Sequence, residues 1–349
     1  MKRILLVILI VAMVFPVFAV NANKLYVEAI TAQDPAKKMS LLEKWLSLFG
    51  NEKKHADKLP FVYLGLYDSA LRLKRCDKII TYGEKAVIYA QSDLDKPFIY
   101  ARMADCYKQA KKCDKAIEKF DSGIALLRKI LSNPPKNLRV SKYKLLLADS
   151  LRLRGFCSFN LNRIDDGMKN MEEAAKIYRE FGDAGKKKAK LLMSFVLEEG
   201  KKAFQNKDYK TANKIICNMA PKVDLYDTYV LCAVTYEKLG IDGDKITSLY
   251  IKAYKKKRNG VLAYKIGMYY LPKCLGADKK SIKDPKAAEL AMNYLAEAVV
   301  LLEGNPKQKK IYDSAYKILS GLYKIKYFKA KEKPTLESIL ADARERVGK

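Results

Sequence analysis

The side chains that carry most chemistry at neutral pH are nearly missing from this chain. Its 349 residues include one histidine, His55. A serine or cysteine nucleophile needs a base held beside it, and a lone histidine supplies no convincing Ser/His or Cys/His pair. His55 lies in the polar run Asn51-Glu52-Lys53-Lys54-His55, which predicts an exposed residue between helices. Adjacent carboxylates occur at Asp165-Asp166, Glu172-Glu173 and Glu198-Glu199. Neighbouring side chains on a helix diverge by about 100°, so these pairs do not converge on one substrate and read as solvated faces. No glycine-rich phosphate loop is present. The residues therefore nominate no catalytic, cofactor-binding or metal-ligating group, and they point away from an enzyme.

The seven cysteines are Cys76, Cys106, Cys113, Cys157, Cys217, Cys232 and Cys274. An odd count leaves at least one without an intrachain partner. No pair has the C-x2-C spacing of a zinc site. Two readings stay open: disulfides, if the chain is exported to an oxidising compartment, or small buried hydrophobes.

Charge is the strongest compositional signal. Lys and Arg total 68 against 39 Asp and Glu, a formal net charge of +29. Runs occur at Lys186-Lys187-Lys188, Lys255-Lys256-Lys257-Arg258 and from Lys307 to Lys310. Dispersed lysines of this kind mostly solvate an apolar-rich surface. As a binding feature they would favour an anionic membrane surface or an acidic partner. Nucleic acid is disfavoured, because the N-terminus reads as an export signal.

That signal spans Met1 to Ala22. Lys2 and Arg3 precede an apolar run from Ile4 to Val14, Pro16 breaks the helix, and small-residue sites follow at Ala19 and Ala22. This is the order of a secretory signal peptide, with cleavage expected after Ala22. The other reading is a retained anchor, since Ile4 to Val20 gives 17 apolar residues, the short edge for a bilayer span. No later apolar run is as long, so a soluble chain in the periplasm or cell envelope is expected.

From Lys24 onward the apolar period is helical rather than alternating. Glycine (17) and proline (11) are scarce, as suits helices. Segments also repeat. Tyr63, Leu66, Ala70, Cys76, Ile79, Gly83 and Ala86 recur 37 residues later as Tyr100, Met103, Tyr107, Cys113, Ala116, Phe120 and Gly123. Related runs begin at Leu151 (Arg154-Gly155, Ile164, Gly167, Met171, Ala174), Val196 (Glu199-Gly200, Ala203, Tyr209, Ala212, Ile216) and Tyr229 (Cys232-Ala233, Tyr236, Tyr250, Ala253). A last one holds Ile266-Gly267, Tyr270, Ala291, Leu295 and Ala298, with an insertion from Leu271 to Asp284. Small residues at these places let two helix backbones approach, and large ones fill the neighbouring unit. A single hairpin cannot bury its apolar face, so such units must stack.

This pattern resembles the tetratricopeptide repeat, and from Ala263 to Ala298 its cousin, the Sel1-like repeat, in an exported bacterial type. The resemblance implies an all-α fold, an α-α superhelix of stacked antiparallel hairpins. It also implies a single domain over 23–349: a capping hairpin (23–59), repeats (60–307) and capping helices (308–349). Breakers at Asn133-Pro134-Pro135 and Gly182-Asp183-Ala184-Gly185 lie in the two longest intervals, where extended helices are expected. Sel1-like proteins bridge neighbouring helix ends at a spacing matched here by Cys106 and Cys113, which implies that disulfide.

In the resembled family the first helix of each hairpin lines a groove for peptides or helices. The matching positions here are Phe61, Asp68 and Arg72, then Asp105 and Lys108, then Arg152, Phe156 and Phe159, then Lys201, Phe204 and Tyr264. Aromatics beside Arg and Lys suit a peptide surface, although Phe156 and Phe204 could equally be core. The expected function is a non-enzymatic protein-interaction scaffold of the bacterial cell envelope, without cofactor. Its rivals are an assembly factor lying on anionic membrane through its basic face and, more remotely, a Sel1-like cell-wall ligand-binding protein or hydrolase. The Lys/Asn carboxylate clamp of chaperone-binding repeats is not matched, because Leu64, Ala101 and Leu197 occupy its lysine positions.

Overall fold

The computed structural model describes residues 21–90, 92–241, 243–328 and 330–349. All but Asn21 and Ala22 of the expected signal segment lies outside the described residues. Among those residues the chain is all-α, as its periodicity predicts. There are sixteen α-helices and no strand, only an isolated bridge between Leu275 and Ile282 in the expected insertion. No described helix is long and apolar enough to cross a membrane.

The helices group into two compact units that divide between Leu192 and Met193. The first holds α1 (Ala22–Thr31), α2 (Pro35–Phe49), α3 (Leu59–Arg72), α4 (Cys76–Tyr89), α5 (Lys96–Gln109), α6 (Cys113–Ser132), α7 (Val140–Asn160) and α8 (Ile164–Arg179). Helix α9 (Gly182–Gln205) begins in the first unit and ends in the second. The second unit continues with α10 (Tyr209–Val223), α11 (Tyr226–Lys238), α12 (Gly243–Lys256), α13 (Gly260–Cys274), α14 (Pro285–Leu302), α15 (Lys309–Lys326) and α16 (Leu336–Val347). Within each unit, consecutive helices pair and each pair packs on the next. The longest helices are α6 and α7, which flank the Asn133-Pro134-Pro135 breaker, and α9, whose first turn holds the expected breaker Gly182-Asp183-Ala184-Gly185.

Five of the hairpin turns share one conformation. Lys74, Lys111 and Asn162 in the first unit, and Lys207 and Gly240 in the second, all have φ between 55° and 64°. In each turn the next residue's N–H reaches back to a carbonyl in the ending helix: Arg75 to Ala70, Lys112 to Tyr107, Arg163 to Ser158, Asp208 to Ala203 and Ile241 to Tyr236, at 2.8–3.1 Å. This is the Schellman closure, which satisfies carbonyls a helix end would leave orphaned. Side chains cap several starts: Asp34 accepts from the Lys37 N–H, Asp208 from Thr211 and Asp284 from Ala287.

Close approach explains the small residues. A Cβ added at Gly155 would lie 3.1 Å from Met171 and 3.2 Å from the Gly167 carbonyl oxygen. One added at Gly267 would lie 2.8 Å from the Leu295 side chain and 3.3 Å from the Ala291 carbonyl. These are the contacts that place α7 against α8 and α13 against α14.

The first pair is anchored by Trp45, which is fully buried and donates its indole N–H to the Ala22 carbonyl at 3.0 Å. His55 differs from expectation. It is buried, its ring 5.8 Å from both Trp45 and Phe49. A 3-10 turn over Lys53–Lys58 folds this polar run back over the end of α2, and the imidazole covers the aromatic cluster. An apolar ring body can serve that purpose even inside a charged segment.

Cysteine pairing also differs. The structure bonds Cys76 to Cys106 and Cys217 to Cys232, with Cα atoms 5.2 and 5.0 Å apart. The expected Cys106–Cys113 bridge is not formed. Cys106 lies near the end of α5 on the side toward the preceding pair, whose second helix opens with Cys76. Cys113 instead neighbours α7, with the Asn160 amide 3.7 Å from its sulfur. Cys113, Cys157 and Cys274 are buried thiols.

Candidate functional site

Two first helices of successive hairpins, α5 and α7, line a groove of about 550 Å³ in the first unit. Phe98, Ala101, Arg102, Asp105 and Lys108 occupy one face of α5 at helical spacing. Lys142, Leu145, Leu146, Asp149, Arg152 and Leu153 do the same on α7. Phe120 from α6, only 1% exposed, closes the floor.

The groove is amphipathic and electropositive. Four cations, Arg102, Lys108, Lys142 and Arg152, face two carboxylates, Asp105 and Asp149. Lys108 lies 3.4 Å from Asp105, and Arg152 lies 3.6 Å from Asp149. Asp105 also accepts from the Gln109 amide at 3.0 Å. The Tyr178 hydroxyl donates to Asp149 at 2.5 Å. Burial, with the Asp149 carboxylate beside it, pushes the Tyr178 phenol well above its ordinary value, so it stays a donor. The Lys142 ammonium sits 4.5 Å above the Phe98 ring, and Phe98 meets Tyr143 edge-on at 5.4 Å. Neither Arg102 nor Lys142 has an ion-pair partner within 4.0 Å among the described residues. Among those residues no three His, Cys, Asp or Glu side chains converge as a metal site would require.

No family model matches the sequence, and no curated protein matches it. Solved structures with a similar arrangement include three tetratricopeptide proteins. One is a tetratricopeptide repeat protein from Parabacteroides merdae, at 11% identity over 84% of this chain and 98% of that one, with a TM-score of 0.33. Another is the C-terminal part of a repeat protein from Cytophaga hutchinsonii, at 14% identity over 92% and 97%, with a TM-score of 0.32. A third is a thermophilic protein of Thermus thermophilus, at 15% identity over 74% and 99%, with a TM-score of 0.22. The described residues of this chain form consecutive paired helices with left-handed turns and close-packed glycines. The fold of the described residues is an all-α array of stacked helix hairpins.

Within this arrangement of helix hairpins the sequence-derived groove positions separate. Asp105, Lys108 and Arg152 come together in the cavity. Phe61, Asp68 and Arg72 lie on α3, outside the cavity. Phe61 is 51% exposed, and Asp68 pairs with Arg72 at 3.0 Å. Phe159 packs its ring against the backbone of Gly167 in its own hairpin. Phe156 is half-buried and does not line the cavity. In the second unit Lys201 pairs with Glu198 at 2.6 Å. Phe204 packs on the core edge-to-face with Tyr209 at 5.4 Å, and the Tyr264 hydroxyl meets Ser314 at 2.9 Å.

Arg102, Lys142, Asp149 and the three leucines were missed from the sequence. The repeat frame starts at Leu151, whereas α7 begins at Val140. The cavity uses those added turns for Lys142, Leu145, Leu146 and Asp149, whereas Arg102 and Leu153 lie inside the repeat frame. A Pro-Pro breaker followed by a helical period from Val140 was the available signal.

Proposed function

We propose that the α5–α7 groove binds an acidic segment of a protein partner, and that the chain acts as a non-enzymatic interaction scaffold. One observation carries this reading. A preformed groove presents apolar surface together with two more cations than carboxylates, and Arg102 and Lys142 stand without ion-pair partners among the described residues. Apolar side chains of a bound segment would face Leu145, Leu146 and Leu153, while its carboxylates meet the rim cations. A groove built on helices needs little ordering on binding, so moderate contacts suffice. The export-like N-terminus supports placing this role in the cell envelope.

The test is fluorescence anisotropy with a panel of labelled peptides, acidic, neutral and basic, matched in apolar content. Acidic peptides should bind the wild-type chain best, and Arg152→Glu should weaken them at least tenfold while circular dichroism stays unchanged. Equal binding across the panel, or an unaffected Arg152→Glu variant, rejects the groove. Vesicles of anionic phospholipid in the same series address the rival reading. Salt-sensitive vesicle binding that survives Arg152→Glu would place the function on the wider basic surface instead.

A further inference from the structure

The Cys76–Cys106 bond has a counterpart one hairpin further along. Cys76 is the first residue of α4, and Cys113 is the first residue of α6. Cys106 stands three residues before the end of α5, and Cys157 three before the end of α7. Counted from the repeat starts Tyr63, Tyr100 and Leu151, the two pairs occupy identical positions. Their surroundings repeat as well. One helical turn beyond Cys106, the Gln109 amide group is 3.8 Å from the Cys76 sulfur. One turn beyond Cys157, the Asn160 amide is 3.7 Å from the Cys113 sulfur. Cys157 and Cys113 are themselves hydrogen-bonding neighbours. Cys217 and Cys232 do not share this register, since both fall in the middle of their helices.

We infer that Cys113 and Cys157 are the site of a third disulfide, which repeats the Cys76–Cys106 bond between the next two hairpins. The oxidant is a disulfide compound acting by thiol–disulfide exchange. One cysteine thiolate attacks a sulfur of the oxidant and releases a thiol, giving a mixed disulfide. The second cysteine thiolate then attacks the protein-bound sulfur and releases the other thiol. The oxidant takes up two electrons, and the two cysteine protons end on the released thiols. In the folded chain Cys113 is 5% exposed and Cys157 not at all. Exchange therefore occurs before the α6–α7 packing closes, or during local opening. The bond sits directly behind the groove, since Cys157 lies within electrostatic reach of Asp105 and Lys108. Forming it would tie α7, one wall of the groove, to the hairpin that carries the other. Cys274 would then be the single unpaired thiol, in accord with the odd cysteine count.

The test is disulfide mapping of the whole chain. The reduced, unfolded protein is refolded with oxidised and reduced glutathione until the Cys76–Cys106 bond is complete, then alkylated in denaturant and digested with chymotrypsin without reduction. Cleavage at Leu73, Tyr82, Tyr107 and Phe120 puts Cys76 in fragment 74–82, Cys106 in a fragment ending at Tyr107 and Cys113 in fragment 108–120, which differ in sequence, so the candidate pairings give distinct peptides. The expected result is a linked pair containing Cys113 and Cys157, formed together with the Cys76–Cys106 pair, and one alkylated cysteine, Cys274. Recovery of Cys113 and Cys157 as alkylated thiols while Cys76–Cys106 is complete overturns the proposal. So does either residue linked to any other cysteine.

Discussion

The Tyr178 hydroxyl donates a 2.5 Å hydrogen bond to Asp149, which fixes a groove carboxylate from the second helix of the same hairpin. Tyr178 is 2% exposed, so its bond forms away from competing water. Asp149 thus divides its interaction between Tyr178 and Arg152. Tyr178→Phe removes one donor and leaves the carboxylate to Arg152 alone. The expected cost is about 1–2 kcal/mol of stability, read from urea unfolding. Acidic-peptide affinity should fall severalfold in the same variant, because Arg152 becomes more fully neutralised. Unchanged unfolding would mean that the bond contributes nothing net.

Lys142 offers a sharper charge test. Its ammonium rests over Phe98 and makes no ion pair within 4.0 Å among the described residues. Lys142→Glu equalises cations and carboxylates in the groove. Binding of an acidic peptide should weaken by tenfold or more, about 1.4 kcal/mol. Its dependence on salt should also flatten, since screening acts on the charge excess that the substitution removes. Titrations at two ionic strengths check both.

The turn lysines carry a conformational cost. Lys111 adopts φ 59°, a region that costs a side chain with a Cβ about 1–2 kcal/mol. The equivalent residue in a later hairpin is Gly240. Lys111→Gly relieves the strain but adds freedom to the unfolded chain. A net gain of up to about 1 kcal/mol is expected, read as a higher urea midpoint with an unchanged slope.

Much of the fold was legible because its signals are local. Leu66 and Met103 repeat the buried first-helix position, and Ala86, Gly123 and Ala174 the small second-helix one. What escaped was set by contacts between elements. His55 reads as polar from its neighbours in sequence, yet the fold places it on Trp45. Cys106 reads as the partner of Cys113 across a short turn, yet the side of α5 it occupies selects Cys76. The cavity was half legible. Asp105, Lys108 and Arg152 follow from the repeat frame, but Lys142 and Asp149 depend on how far α7 extends before that frame begins.

Acid should loosen the first unit through Glu43. Its carboxyl is held below its usual value. Burial opposes this, but hydrogen bonds from Lys78, at 2.7 Å, and from Tyr82 outweigh burial. The folded chain therefore binds that proton less tightly than the unfolded chain. The contribution is complete above the ordinary value of 4.5 and is lost as pH falls through the lower folded value. The pair is partly exposed, so the effect should stay below about 1 kcal/mol. Thermal melts of wild type and Glu43→Gln should differ near neutrality and converge in acid. A constant difference across the range would assign the effect to packing instead of charge.

Two glycines should respond to substitution with opposite signs. Gly155 faces Met171 at 3.1 Å and the Gly167 carbonyl at 3.2 Å. The methionine can yield, but the carbonyl belongs to α8 and moves only if the helix moves. Gly155→Val therefore overpacks the α7–α8 contact, at a cost of about 1–3 kcal/mol that exceeds any gain in helix propensity. Gly321, on α15, has no atom within 4 Å of an added Cβ. Gly321→Ala meets only solvent and should gain about 0.5–1 kcal/mol from helix propensity alone. Urea unfolding of the two variants reads both signs. A stabilised Gly155→Val would show that the two backbones have room to spare, and that the small residue there is not required by helix approach.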